Sequence, residues 1–256
     1  NCNIITNGLL LSEDKIDFLL SYPNFKVLSI SIDDIGNKNR DFKEGQWEHL
    51  VKMMKYFIMR KKEMNHSAIL DIKTVVLDSN AEELFDIFKF FKTEVQCDTH
   101  MFQLLKGSPI QHADYMFDFD SIFKKVNAPV YKNWDLIKGQ FEKIRNYNIE
   151  NGTLSFLHPK VSTLMSEETK NVDYINDKDH DRDKFLVCKF PWSSVHINYS
   201  GDLFPCLSVS MGNVRDQKLP EIIFGEKMKK FKDVIRRNKS VEACNRCGWL
   251  RPSQGN

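Results

Sequence analysis

Cys188, Cys206, Cys244 and Cys247 constrain this chain more than any other feature: their spacing is C-x17-C, a gap of 37 residues, then C-x2-C. Gly201 lies five residues before the second of them, in Tyr199-Ser-Gly-Asp-Leu-Phe-Pro-Cys206. Four thiolates converging on one point make a tetrahedral soft-ligand site, suited to zinc or to an iron–sulfur cluster. The surrounding text is small. Val195–Asn198 and Leu203–Phe204 read as two hairpin strands joined through Ser200-Gly201-Asp202. A basic amphipathic helix follows, with Phe224, Met228, Phe231 and Ile235 at helical spacing on its apolar stripe, and leads to Cys244-Asn-Arg-Cys247. A hairpin and a helix of this size cannot be held by apolar burial alone, so a metal centre is the expected staple.

The rest of the chain is long enough for a full core. With 256 residues, 41% of them hydrophobic, one large domain plus a small appendage is expected. Six cysteines are too sparse for a disulfide scaffold, and no signal-peptide-like segment opens the sequence, so the expected setting is a cytoplasm that keeps thiols reduced. Cys2 and Cys97 stand alone and read as small hydrophobes. A net charge of +2 supplies no global field for nucleic acid. Lys227, Lys229, Lys230, Lys232, Arg236 and Arg237 concentrate locally, as the solvated face of a helix or a landing site for an acidic partner. No apolar run reaches the roughly 18 residues of a membrane span.

Short apolar strands alternate with amphipathic helices over the first 105 residues. Strands are predicted at Asn3–Thr6, Lys26–Ile32, Ala68–Val76 and His100–Leu105. Helices are predicted from Ser12 to about Ser21, over Gln46–Lys61, and around Leu84, Ile87, Phe88 and Phe91. This rhythm implies a parallel sheet with helices packed outside it. In the second strand Leu28, Ile30 and Ile32 fall on one face, and Ser29, Ser31 and Asp33 on the other. A polar inner face implies a lumen that holds ligand or water, or else an edge strand with one wet face. Asp71 and Lys73 repeat the pattern more weakly.

Beyond Leu105 the pattern loosens. A helix over about Asn133–Asn148 and a strand at Gly152–Leu157 are expected, and the middle, 106–184, carries no motif. Domain boundaries are expected at 1–165 for the large unit, 166–184 for an acidic linker and 185–256 for the cysteine module. Asp177, Asp179, Asp181 and Asp183 alternate like the start of a calcium loop, but the loop glycine is missing and Cys188 stands at the closing glutamate position, which excludes it.

Taken together, these residues resemble a radical S-adenosylmethionine (radical SAM) enzyme with an auxiliary-cluster domain of the twitch or SPASM type. The resemblance rests on the cysteine pattern with Gly201 and Pro205, on Gly212-Asn-Val214, Leu219-Pro-Glu-Ile222 and Cys247-Gly-Trp249. Upstream it rests on Ile5-Thr-Asn-Gly8, similar to the family's third barrel strand, and Ser31-Ile-Asp-Asp-Ile-Gly36, similar to its fourth. Asn39, Gly45 and Trp47 fit the twitch-bearing subgroup, with Lys43 where an arginine is expected.

The fold implied is α/β: a partial (β/α)6 TIM-like barrel with about four βα units present, followed by a small α+β metal-binding hairpin-helix domain. The family's C-x3-C-x2-C motif is absent from the sequence. The chain is therefore expected to be the C-terminal portion of such an enzyme, short of two βα units, roughly 60 or more residues, and inactive alone. The resemblance implies an auxiliary 4Fe–4S cluster on Cys188, Cys206, Cys244 and Cys247, with S-adenosylmethionine and a second 4Fe–4S cluster only in the intact enzyme. It places Asn7, Ser31 and Asp33 near S-adenosylmethionine, against turn or capping roles for each. It implies a peptide or small-metabolite substrate and a flavodoxin or ferredoxin electron donor, without nucleic acid or membrane. Four thiolates leave no open iron, so an electron conduit is the expected role. The competing class is a non-catalytic protein with a structural four-cysteine zinc site.

Overall fold

Parallel neighbouring strands need a crossover between them, and amphipathic helices provide one after each of the first four strands. The structure, a computed structural model, describes residues 1–36, 42–125, 127–158, 180–251 and 253. Strands β1 (Cys2–Thr6), β2 (Phe25–Ser31), β3 (Ile69–Val75), β4 (Thr99–Gln103) and β5 (Leu154–His158) form one sheet in that order, every pair parallel. Between them run α1 (Glu13–Leu20), α2 (Gln46–Glu63), α3 (Leu84–Phe90) and α4 (Trp134–Asn151). Sequential all-parallel order is that of a β/α barrel wall, and the four βα units expected from sequence are present.

Ser12 caps α1, its side chain accepting from the backbone of Lys15, as its position before Glu13 and Asp14 predicts. The helix-facing side of the sheet is apolar: Leu28, Ile30, Ile32, Leu70 and Ile72 pack with Leu50, Met54 and Phe57 of α2. Each such side chain contributes about 1.5–3 kcal/mol by leaving water. His100 lies in this layer, stacked on Phe102 at 4.3 Å and 2.9 Å from the Thr74 hydroxyl. Burial holds it well below the ordinary histidine range, and Lys92 adds to the effect.

The chain divides into two compact units. The first takes Asn1–Leu104 and Tyr131–His158; the second takes Leu105–Val130 and the described residues from His180 onward. The division thus differs from a boundary at 165. Ile110 and Ile122 bury in the same apolar core as Cys188, Cys206 and Cys244, which ties the motif-free stretch 105–130 to the cysteines. Of the acidic linker expected over 166–184, residues 166–179, with Asp177 and Asp179, lie outside the described residues, and Arg182–Lys184 form one 3₁₀ turn.

The second unit carries a small antiparallel sheet, β6 (His196–Ile197), β7 (Asp202–Phe204) and β8 (Gly212–Asn213), then α5 (Leu219–Ile223) and α6 (Glu226–Asn238). Gly201 turns the hairpin with φ +89, and a Cβ there would lie 2.7 Å from Asn213 Oδ1. On α6, Met228, Phe231 and Ile235 are buried as expected. Phe224 is not: it is 70% exposed. Gly225 separates α5 from α6, so the i, i+4 relation from 224 to 228 does not extend across the break.

Candidate metal centre

Each of the four cysteines is delivered by a different local device. Cys188 is fixed by its backbone N–H donating to Lys239 O at 3.0 Å. Cys206 follows β7 directly, after Pro205. Cys244 closes a 3₁₀ turn, Glu242–Cys244, and Cys247 closes the next turn by donating its N–H to Cys244 O at 2.9 Å. Arg246, between the two, adopts φ +54, the left-handed conformation that this short knuckle requires.

The thiols share one dry environment. Burial drives Cys206 well above its ordinary range, and the charges of Cys244, Cys247 and Cys188 push it further. Cys244 rises through burial first, then through Cys247 and Cys188. Burial pushes Cys247 to about 11, opposed by a backbone hydrogen bond at Trp249 and raised again by Cys188. Cys188 is raised by burial and eased by a backbone hydrogen bond at Phe190. Cys188, Cys206 and Cys244 lie in one apolar core, and Cys247 packs against it. Mutually repelling thiolates in dry surroundings become stable when a cationic centre sits among them.

Among the described residues, no three His, Cys, Asp or Glu side chains are gathered tightly enough for a single metal ion. A zinc tetrahedron draws its sulfurs to about 2.3 Å from one point. A cluster of several irons carries its thiolates on the outside of a larger body. Three of the four cysteines are buried and Cys247 is half-buried, and four thiols as a donor set suit either centre.

Supporting groups come from a stretch where the sequence shows no pattern. Gln111, buried at 4% exposure, donates its amide to Ala243 O at 2.7 Å and to Asn245 O at 2.6 Å, clamping the backbone on both sides of Cys244. Gly107 lies against the same knuckle, where a Cβ would meet Asn245 O at 2.6 Å. Lys106 donates to Gln111 O at 2.8 Å; burial lowers its pKa, and the charge of Cys247 partly restores it. The Ser208 N–H donates to Ile110 O at 2.8 Å, which aligns the 105–117 segment with the chain leaving Cys206. Cys97 is buried in the other core with its thiol pushed up to about 12 by burial, and Cys2 is exposed on β1.

The remaining candidates belong to the first unit, at the C-terminal ends of adjacent strands, where α/β sheets place their ligands. Asn7 Oδ1 accepts from the Leu9 N–H at 3.2 Å, a turn role. Ser31 ends β2 in register with Lys73. Asp33 Oδ1 accepts from the Val75 N–H at 2.9 Å. Below them Asp71, 5% exposed, accepts from Ser29 at 3.0 Å and Thr99 at 2.7 Å and pairs with Lys73 at 3.1 Å. The polar face read from β2 therefore continues across β3 and β4.

Residues 188–248 match the SPASM family, an iron–sulfur cluster-binding domain. The whole chain shares its fold with the solved structure of histidine-tagged anSMEcpe with bound AdoMet: TM-score 0.54, 18% identity, 96% of this chain and 60% of that one. Native anSMEcpe with bound AdoMet and Cp18Cys peptide gives TM-score 0.53 at 18% identity, over 96% of this chain and 63% of that one. The chain thus spans about 60% of the length of the solved chains it matches. No curated protein matches it in sequence. Domain and fold agree with the resemblance to a radical SAM enzyme carrying a SPASM-type domain. No helix among the described residues is long and apolar enough to cross a membrane.

Proposed function

We propose that this chain is the C-terminal portion of a radical SAM enzyme and that Cys188, Cys206, Cys244 and Cys247 hold one auxiliary 4Fe–4S cluster, the single-cluster, twitch-like arrangement. The observation that supports the reading is that all four cysteines fall inside residues 188–248, which match an iron–sulfur cluster-binding domain, three of them in one apolar core with Cys247 packed against it. When bound in the intact enzyme, S-adenosylmethionine and its own cluster supply a 5′-deoxyadenosyl radical for hydrogen abstraction.

This chain's residues then bind, position and insulate. Asn7, Ser31 and Asp33 offer polar groups to S-adenosylmethionine at the strand ends. Asp71, Lys73 and Thr99 keep the inner face polar for a substrate. The peptide bound by anSMEcpe favours a peptide substrate over a small metabolite. With all four thiolates engaged, such a cluster would have no open iron and would serve as an electron conduit, with a flavodoxin or ferredoxin as the expected partner in a cytoplasmic setting. The chain alone, without a C-x3-C-x2-C motif, is expected not to cleave S-adenosylmethionine.

Anaerobic purification tests the reading. Brown protein with broad visible absorbance and about four irons per chain is expected, with loss of colour in Cys247→Ala and none in Cys97→Ala. Colourless protein containing one zinc ion would establish the structural-zinc alternative instead.

A further inference from the structure

The outer face of α6 has no part in the scheme above, and its charge is out of proportion to the chain. Six basic side chains against Glu226 and Asp233 leave this 13-residue helix four charges positive, twice the +2 of the whole protein. Lys227, Lys229, Lys230, Arg236 and Arg237 are exposed. Its inner face, Met228, Phe231 and Ile235, packs in the one core that also contains Cys188, Cys206 and Cys244. The helix that carries the basic surface and three of the thiols thus share one apolar core, with Cys247 packed against it. At its edge the Arg236 guanidinium lies 5.6 Å over the ring of Trp192, which is 41% exposed. Trp192 is two residues from Phe190, which stacks at 4.1 Å on Trp249. Phe190 and Trp249 carry the backbone hydrogen bonds to Cys188 and Cys247. A charged field around a Trp–Arg pair is the composition of an interaction hot spot, and here it adjoins backbone bonded to two of the thiols.

We propose that the outward face of α6, with Trp192 at its edge, is the docking surface for an acidic one-electron carrier protein that exchanges electrons with the cluster. The proposal rests on the cluster assignment above. The step balances simply: one electron leaves the reduced carrier, which is oxidised, and reduces the cluster, with no bond made or broken. Charge complementarity selects the partner, since a surface of this sign collects an acidic protein and steers its approach.

The test uses the full chain, purified anaerobically with its iron counted first. Reduced flavodoxin is mixed with the oxidised protein and cluster bleaching followed by stopped flow across a salt series. The wild-type bimolecular rate should fall about ten-fold or more as salt rises. The triple variant Lys227→Glu, Lys229→Glu, Arg237→Glu should react about ten-fold slower at low salt and converge with wild type at high salt. The neutral variant Lys227→Gln, Lys229→Gln should fall between them, while reduction by dithionite and iron content stay at wild-type values in both. Equal rates for wild type and triple variant at low salt would overturn the docking surface. So would a triple variant that loses retention on immobilised duplex DNA while its reduction by flavodoxin is unchanged. Protein without iron refutes the cluster assignment instead, and salt-sensitive retention on immobilised flavodoxin still reads the surface in that case.

Discussion

Gln111→Leu removes the amide that holds the knuckle while keeping much of its volume. Two buried carbonyls, of Ala243 and Asn245, then lose a donor at 2.7 and 2.6 Å. An unsatisfied buried carbonyl costs about 1–3 kcal/mol. Removing the buried Gln111 amide offsets part of this, so a net loss of about 2 kcal/mol is expected in the second unit. Local opening of the knuckle becomes about 30-fold more populated at that cost. The assay is release of iron to a chelator under anaerobic conditions, followed by visible absorbance. If release proceeds through the opened knuckle, its rate should rise about 30-fold, in step with the open population. Release within two-fold of wild type, from a variant with full iron loading, would refute the clamp.

Gly8→Ala should destabilise the first unit by about 2–4 kcal/mol in urea unfolding, since φ is +77 and the new Cβ lies 2.4 Å from Leu50 Cδ1. Asp71→Ala leaves Ser29, Thr99 and Lys73 without their shared carboxylate and should cost about 3 kcal/mol, against a smaller loss for Asp71→Asn. Acid should loosen the second unit. Burial holds His112 and His180 to about 4, below the 6.5 of an ordinary histidine, so the unfolded chain binds more protons between those values. Their contribution is complete above about pH 6.5 and is lost as pH falls toward 4. His180→Gln should flatten that part of the melting-temperature profile, and an unchanged profile would exclude His180 as a source.

The regular elements of the first unit were legible because each has one apolar face and one repeat. Leu28, Ile30 and Ile32 alternate with Ser29, Ser31 and Asp33, and the sheet buries the first set under α2 as that alternation implies. Leu84, Ile87 and Phe88 mark α3 in the same way. The stretch 105–130 gave no such signal. It is held by isolated backbone bonds, Gln111 beside Leu207 and Phe117 N–H to Ser208 O, between two irregular segments with no shared period. A lone glutamine such as Gln111 has nothing in its neighbours to announce that its amide closes on a turn over a hundred residues away. Phe224 shows the opposite error, a spacing that looks helical but spans Gly225.

That long reach orders events as the protein is made. Gln111 meets carbonyls 132 and 134 positions later, so the turn bearing Cys244 and Cys247 gains its brace only when distant stretches of chain find each other. Closing so wide a loop carries an entropic cost that grows slowly with length and must be met before the contact returns anything. Iron delivered early to a nascent tail would therefore encounter a loosely held loop. Maturation of the proposed cluster would then be tied to folding of a segment outside its four proposed ligands.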